Sequence, residues 1–223
     1  MTASTDNRRP IPSRTSRWAV ALAKAVAGLG ISANAVSVSS LVFAALAAAA
    51  LLAAPERPAL YLAAALLCPL RLLANLIDGM VAVEHGRATP TGPLYNEIPD
   101  RLADVAILAA AGASAAAAAG TGFVADWGTL VGWLAAVAAL MTAYVRELGR
   151  ALGRPADFGG PFAKQQRMVA VTIGSLGAAV EGLWGGHGEI LFAAVLIVAI
   201  GTMATAWRRL ARLAAFLRAG APE

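Results

Sequence analysis

Six apolar runs, near residues 34–54, 58–83, 96–119, 127–152, 165–183 and 188–207, constrain this chain more than any other feature. Each approaches the roughly 20 residues that an α-helix needs to cross a hydrocarbon core about 30 Å thick. In lipid every backbone donor and acceptor must be satisfied within the segment, so runs of this kind are helices. A hydrophobic share of 59% and a mean hydropathy of +0.67 agree, since soluble domains hold roughly 45–50% apolar residues. The expected fold class is all-α: a polytopic membrane protein with six transmembrane helices and an N-terminal amphipathic interfacial helix. One membrane domain, 31–210, accounts for most of the length.

A net charge of +5 and a pI of about 10.1 would suit nucleic-acid binding if the cations formed one polar face. They follow the membrane boundaries instead, and no nucleic acid is expected as a partner. Arg8, Arg9, Arg14, Arg17 and Lys24 precede the first span, and Arg87 lies between spans two and three. Arg146, Arg150, Arg154, Lys164 and Arg167 surround the fourth connection, and Arg208, Arg209, Arg212 and Arg218 close the chain. The alternate connections, APERPA, GTGFVADWG and EGLWGGHGE, contain only Arg57. The positive-inside rule then puts both termini in the cytoplasm and makes this a multi-pass protein of the cell (inner) membrane.

Residues 1–12, with Pro10 and Pro12, read as a disordered N-terminus. From Ser13, a candidate N-cap, 13–30 reads as an amphipathic helix with Trp18, Leu22, Val26 and Leu29 on one face. A helix on the inner leaflet and a simple positive flank both fit this pattern. Residues 211–223 read as a basic cytoplasmic tail, and WRRLARLAAFLRAG as a short interfacial helix. Cys68, the single cysteine, sits in an apolar run and is expected to pack in the core. His85 and His187 lie beside glycines in connections and are expected to be solvated. Trp127, Trp133 and Trp184 fall near the outer boundary, where indoles anchor membrane helices. Span three, rich in alanine and glycine, suits close helix packing or pairing of two chains.

The chemistry concentrates between Asn75 and Asp104. Asn75, Asp78 and Ala82 recur at steps of three and four, one stripe on a helix. Asn96, Asp100 and Asp104 recur at steps of four on a second helix, across a breaker-rich HGRATPTGP connection that lets the two stripes face each other. Arg71 is buried in the sequence of span two, four residues before Asn75. A charge at that depth costs at least ~2.5 kcal/mol, so it lines the polar site and meets phosphate, or forms a structural ion pair, or snorkels. Arg146, Arg150, Lys164 and Arg167 gather at one membrane face, where they receive a phosphate or simply obey the positive-inside rule. Carboxylates beside cations at a membrane edge suit Mg²⁺ or Mn²⁺ bound to a diphosphate, with a further carboxylate taking a proton from an attacking hydroxyl. Gly79 and Ala82 beside Asp78 leave room for a ligand.

At these residues the sequence resembles the CDP-alcohol phosphotransferase family. The family signature reads Asp-x-x-Asp-Gly-x-x-Ala-Arg, eight residues, then Gly-x-x-x-Asp-x-x-x-Asp. Here its positions hold Asn75, Asp78, Gly79, Ala82 and Val83, then eight residues, then Gly92, Asn96 and Asp100. ISANAVS, AYVRELG and GPFAKQQR resemble flanking family segments, so the likeness covers most of the chain. It implies a CDP-linked lipid donor held through Asp78, Gly79, Ala82 and Gly92, and a small-alcohol acceptor that displaces CMP. It also implies metal ligation by Asn75, Asp78, Asn96 and Asp100, a general base at Asp100, and a homodimer. Two family aspartates are asparagines and the family arginine is Val83, which removes two charges from the metal shell. Asp104 and Glu97 are candidates to replace that charge, by a register moved one turn. Fewer than two metal ions is one expected consequence. A catalytically silent protein that binds nucleotide-lipid or a partner subunit is the competing reading, and a transporter ranks third.

Overall fold

A computed structural model of the chain describes residues 16–84 and 90–220. The expectations for 1–12, Ser13, Arg8, Arg9, Arg14, His85 and Arg87 lie outside the described residues. Among those described, secondary structure is wholly helical: α1 (Arg17–Gly28), α2 (Ala33–Ala53), α3 (Ala59–Glu84), α4 (Gly92–Ala119), α5 (Phe123–Ala151), α6 (Lys164–Glu181) and α7 (Glu189–Ala219). A 3₁₀ turn, Gly182–Trp184, follows α6. The boundaries follow local chemistry. Ser32 caps α2 by accepting from the Ala35 N–H, Pro93 lies in the first turn of α4, and Gly120 and Gly122 supply the positive φ that the α4–α5 turn requires.

Packing links the six long helices into a ring in the order α3, α2, α4, α5, α7, α6 and back to α3. Two chain neighbours, α3 with α4 and α5 with α6, are therefore not packed side by side. Ala47 and Leu51 of α2, Ala64 of α3, Ile107 and Ala111 of α4, Ala135 of α5, Val171 of α6 and Val195 of α7 share one buried core, and Cys68 lies in it. Outside, Leu46, Leu62, Leu66, Ile173, Ile197 and Ile200 stand exposed, which suits a surface solvated by lipid.

Among the described residues five helices, all but α1 and α6, are long and apolar enough to cross a membrane. The expected fifth span, α6, has 18 residues but carries Lys164, Arg167 and Glu181. α6 is the shortest of the six, so all three charges fall within its 18 residues, whereas the other five, of 21 to 31 residues, each contain an apolar stretch of that length with at most two charges.

Two expectations are corrected. α7 runs unbroken to Ala219, so no separate tail or second short helix starts near 210; at 31 residues it is about 46 Å long and outreaches a bilayer core. Arg209 is not a boundary charge but is buried, donating to Gly159 O at 3.0 Å and Thr142 O at 2.8 Å. α1 packs on α3 through Ala19 and Ala23, against Ile77, Met80 and Val81, and leaves Trp18 and Leu29 outside. The large apolar face is thus the outward one, as an interfacial helix requires.

The small residues of α4 are used within the chain. A methyl built on Gly112 would lie 2.6 Å from the Gly132 Cα of α5, closer than real Cβ contacts come. Gly112→Val is therefore expected to cost about 1–3 kcal/mol or more through overpacking. Gly28→Ala, with nothing within 4 Å of the new methyl, should leave stability unchanged. Thermal unfolding midpoints of the two variants in detergent check the contrast.

Candidate active site

The two polar stripes open onto one cavity of about 690 Å³. From α3 come Asn75, Asp78, Gly79, Ala82 and Val83; from α4 come Gly92, Asn96, Glu97, Asp100 and Arg101. α4 begins at Gly92, four residues before Asn96, so Gly92, Asn96 and Asp100 form one continuous row. Every residue matched to the family signature lines this space. Because α3 and α4 are separated in the ring, the rows face each other across the cavity rather than touching.

Each acid has a different environment. Asp78 Oδ2 accepts from the Ser37 hydroxyl at 2.6 Å, and both residues are buried. Asn75 Nδ2 donates to Ser40 Oγ at 3.4 Å, while Asn75 Oδ1 is buried without a hydrogen-bond partner. Asp100 Oδ2 lies 2.6 Å from Lys164 Nζ. Arg71 donates to the Asp100 backbone carbonyl at 3.0 Å and approaches Asp100 Oδ1 at 3.5 Å. Asp104 is held between Arg71, at 2.9 Å, and Arg167, at 2.5 Å.

Two sequence expectations change here. Arg71 and Asp104 do not line the cavity. They form a fully buried bridge beneath it, 0% and 1% exposed in their side chains. Arg71 therefore acts as the structural ion-pair partner, not as a contact for substrate phosphate, because a buried guanidinium is stable only beside its counter-charges. Asp104 cannot stand in as a cavity ligand, because both its oxygens face guanidinium groups. Glu97 does reach the cavity, but Arg101 and Arg146 both bond its Oε2.

The basic cluster is assembled in one place. Arg146, Arg150, Lys164 and Arg167 all line the cavity, with Arg146 over the Phe158 ring at 5.4 Å from its centroid. Phe158 belongs to the α5–α6 connection, which Asp157 ties to Arg212 at 3.0 Å and which Arg209 ties to α5 and α7. Six cations, counting Arg101 and Arg209, face four carboxylates, Asp78, Glu97, Asp100 and Glu147. The wall attracts anions. Sequence reading missed Ser37, Ser40, Arg101, Phe158 and Arg209. Ser37 and Ser40 carried a signal, since with Ser39 they put three hydroxyls near the start of an apolar span; the others did not.

The residues fit a divalent ion in one part of the cavity. Asp78 offers a carboxylate and Asn75 a buried, partnerless carbonyl oxygen, and both are hard donors suited to Mg²⁺ or Mn²⁺.

Three solved structures of the Mycobacterium tuberculosis phosphatidylinositol phosphate synthase share this fold. In complex with manganese and citrate, that protein matches with a TM-score of 0.70 and 19% identity, over 87% of this chain and 88% of its own. With CDP-DAG bound it matches at 0.69 and 20%, over 89% and 94%, and in apo form at 0.67 and 18%, over 86% and 93%. No protein-family profile matches the sequence, and no curated protein matches it significantly. The likeness carries the helical arrangement across nearly the whole chain.

The buried bridge yields a stability prediction. Asp104→Leu takes the nearest counter-charge from two guanidinium groups and should cost about 3–5 kcal/mol, more than Arg71→Met or Arg167→Met, each of which leaves one pair intact. The triple variant, with all three charges removed, should recover much of the loss. Unfolding midpoints of the four proteins in one detergent check the order.

Proposed function

We propose that the protein is a divergent CDP-alcohol phosphotransferase. It transfers a phosphatidyl group from a CDP-linked lipid, CDP-diacylglycerol in the first instance, to the hydroxyl of a small alcohol, with release of CMP. The observation that carries this reading is the meeting of Asp78 and Asp100, from separate helices, in one cavity with a net basic wall. The manganese and CDP-DAG found with structures of the same fold support it. The spacing of the signature residues supports it independently.

In this reading the acyl chains stay in the bilayer while the diphosphate enters the cavity beside Asp78, Gly79 and Ala82. Glycine and alanine on that wall let the headgroup approach the α3 backbone. Asp78 and Asn75 would hold a divalent ion there, which would supply positive charge to the diphosphate and to the leaving CMP. Asp100 accepts the proton of the acceptor hydroxyl as its oxygen attacks the lipid-bearing phosphorus and the bond to CMP breaks. Lys164 bears on the same step, because its ammonium contacts Asp100 Oδ2 at 2.6 Å and must yield or share that oxygen. Arg146 and Arg150 favour an acceptor that itself carries phosphate.

The same reading makes α6 the sixth span, places the protein in the cell membrane with its cavity on the cytoplasmic face, and pairs two chains as a homodimer. The cations around the α5–α6 connection support that orientation, since they lie at the cavity end of the bundle. A silent binding protein is the competing reading, favoured by Asn75 and Asn96 at positions where the signature has aspartate.

CMP release from CDP-diacylglycerol decides between them. With Mg²⁺ or Mn²⁺ and a panel of small and phosphorylated alcohols, the purified protein should release CMP. Asp78→Ala and Asp100→Ala should each lower the rate by about 100-fold or more. No metal-dependent release with any acceptor leaves the silent reading in place.

A further inference from the structure

Asp100 already has a cation. Lys164 Nζ lies 2.6 Å from Oδ2, and Arg71 approaches Oδ1 from beneath at 3.5 Å. Two other cavity carboxylates are likewise engaged, Glu97 by Arg101 and Arg146, Glu147 by Arg146 and Arg150. Asn96, the remaining oxygen donor of the α4 row, brings no charge. Among the described residues no group of three acidic, histidine or cysteine side chains gathers to hold an ion.

The α3 side differs. Asp78 makes no ion pair among the described residues and accepts from a neutral hydroxyl, Ser37. One turn earlier, Asn75 Oδ1 is buried and lacks a hydrogen-bond partner. Here one carboxylate and one carbonyl remain open to a cation. A second divalent ion at Asp100 would have to displace an ammonium in contact with that carboxylate, or sit beside it and be repelled. Lys164 lines the cavity with its side chain 22% exposed, so it can face a ligand from where it stands. An ammonium has three donors, which allows one to hold Asp100 and another to reach a phosphate oxygen.

We propose that this protein binds the diphosphate of a CDP-linked ligand with a single divalent ion, on the Asn75–Asp78 side, and that Lys164 on Asp100 supplies the second positive charge. The proposal rests on the transferase reading above and adds to it a cation carried by the chain itself. Lys164 then contacts the diphosphate directly, which gives it a binding role that survives removal of metal. A lysine is suited to this as a compact point charge on phosphate.

The test uses the full chain in detergent, with CDP and Mn²⁺ as probes. Mn²⁺ bound per chain at saturating CDP, read from the loss of the free-ion electron paramagnetic resonance signal, should be one. In EDTA, CDP should still bind, and Lys164→Gln should weaken that metal-free binding by about tenfold or more, while Lys164→Arg keeps most of it. Two Mn²⁺ per chain in the unaltered protein overturns the proposal, and so does metal-free binding indifferent to Lys164→Gln. Should Lys164→Gln fail to fold, the ion count of the unaltered protein still decides. Loss of all CDP binding even with Mn²⁺ present would remove the transferase reading too, which separates the two failures.

Discussion

The bridge Arg71–Asp104–Arg167 is the interaction on which the rest of the site depends. It joins α3, α4 and α6, of which α4 is not a ring neighbour of the other two. Buried charges in a membrane bundle are tolerable only when they meet, so the three helices have one depth and one rotation at which all three groups are satisfied. The cavity residues sit one turn along the same helices. Asp100 precedes Asp104 by four residues, Lys164 precedes Arg167 by three, and Asn75 follows Arg71 by four. The buried layer therefore sets the register of the layer above it, and the Lys164–Asp100 contact repeats Arg167–Asp104 one turn nearer the cavity mouth.

Much of this was legible in the residues. Apolar run length identified the six long helices to within four residues at every end but one, the C-terminal end of α7, which runs on to Ala219 from the expected 207; α6 departs in character, because its 18 residues hold three charges. The paired rows on α3 and α4 followed from steps of three and four. What stayed hidden was pairing across helices. Sequence spacing shows that Arg71 shares a face with Asp78, yet it cannot show that Arg71 turns toward Asp104 below the cavity. The same holds for Arg209, which reads as one more boundary arginine until its bonds to Gly159 and Thr142 are seen. Ser37 was readable as a polar residue in an apolar span, but its partner, Asp78, is 41 residues away.

The two asparagines acquire a physical meaning once the charges are placed. Aspartates at 75 and 96 would add two negative charges to a wall that now carries six cations against four carboxylates. Their absence leaves a net positive cavity, which favours a diphosphate with less help from metal. The loss of carboxylates and the presence of Lys164 on Asp100 are thus two sides of one electrostatic arrangement. Gly79 and Ala82, beside Asp78, leave space against the α3 backbone that a headgroup would occupy.

Where the diphosphate goes is the central question. A structure of the protein with Mn²⁺ and a CDP-linked lipid bound answers it. The diphosphate is expected between Asp78 on α3 and Lys164 on α6, with the acyl chains leaving the cavity toward lipid. A nucleotide-lipid bound elsewhere on the bundle, with the Asn75–Asp100 cavity empty, would contradict it.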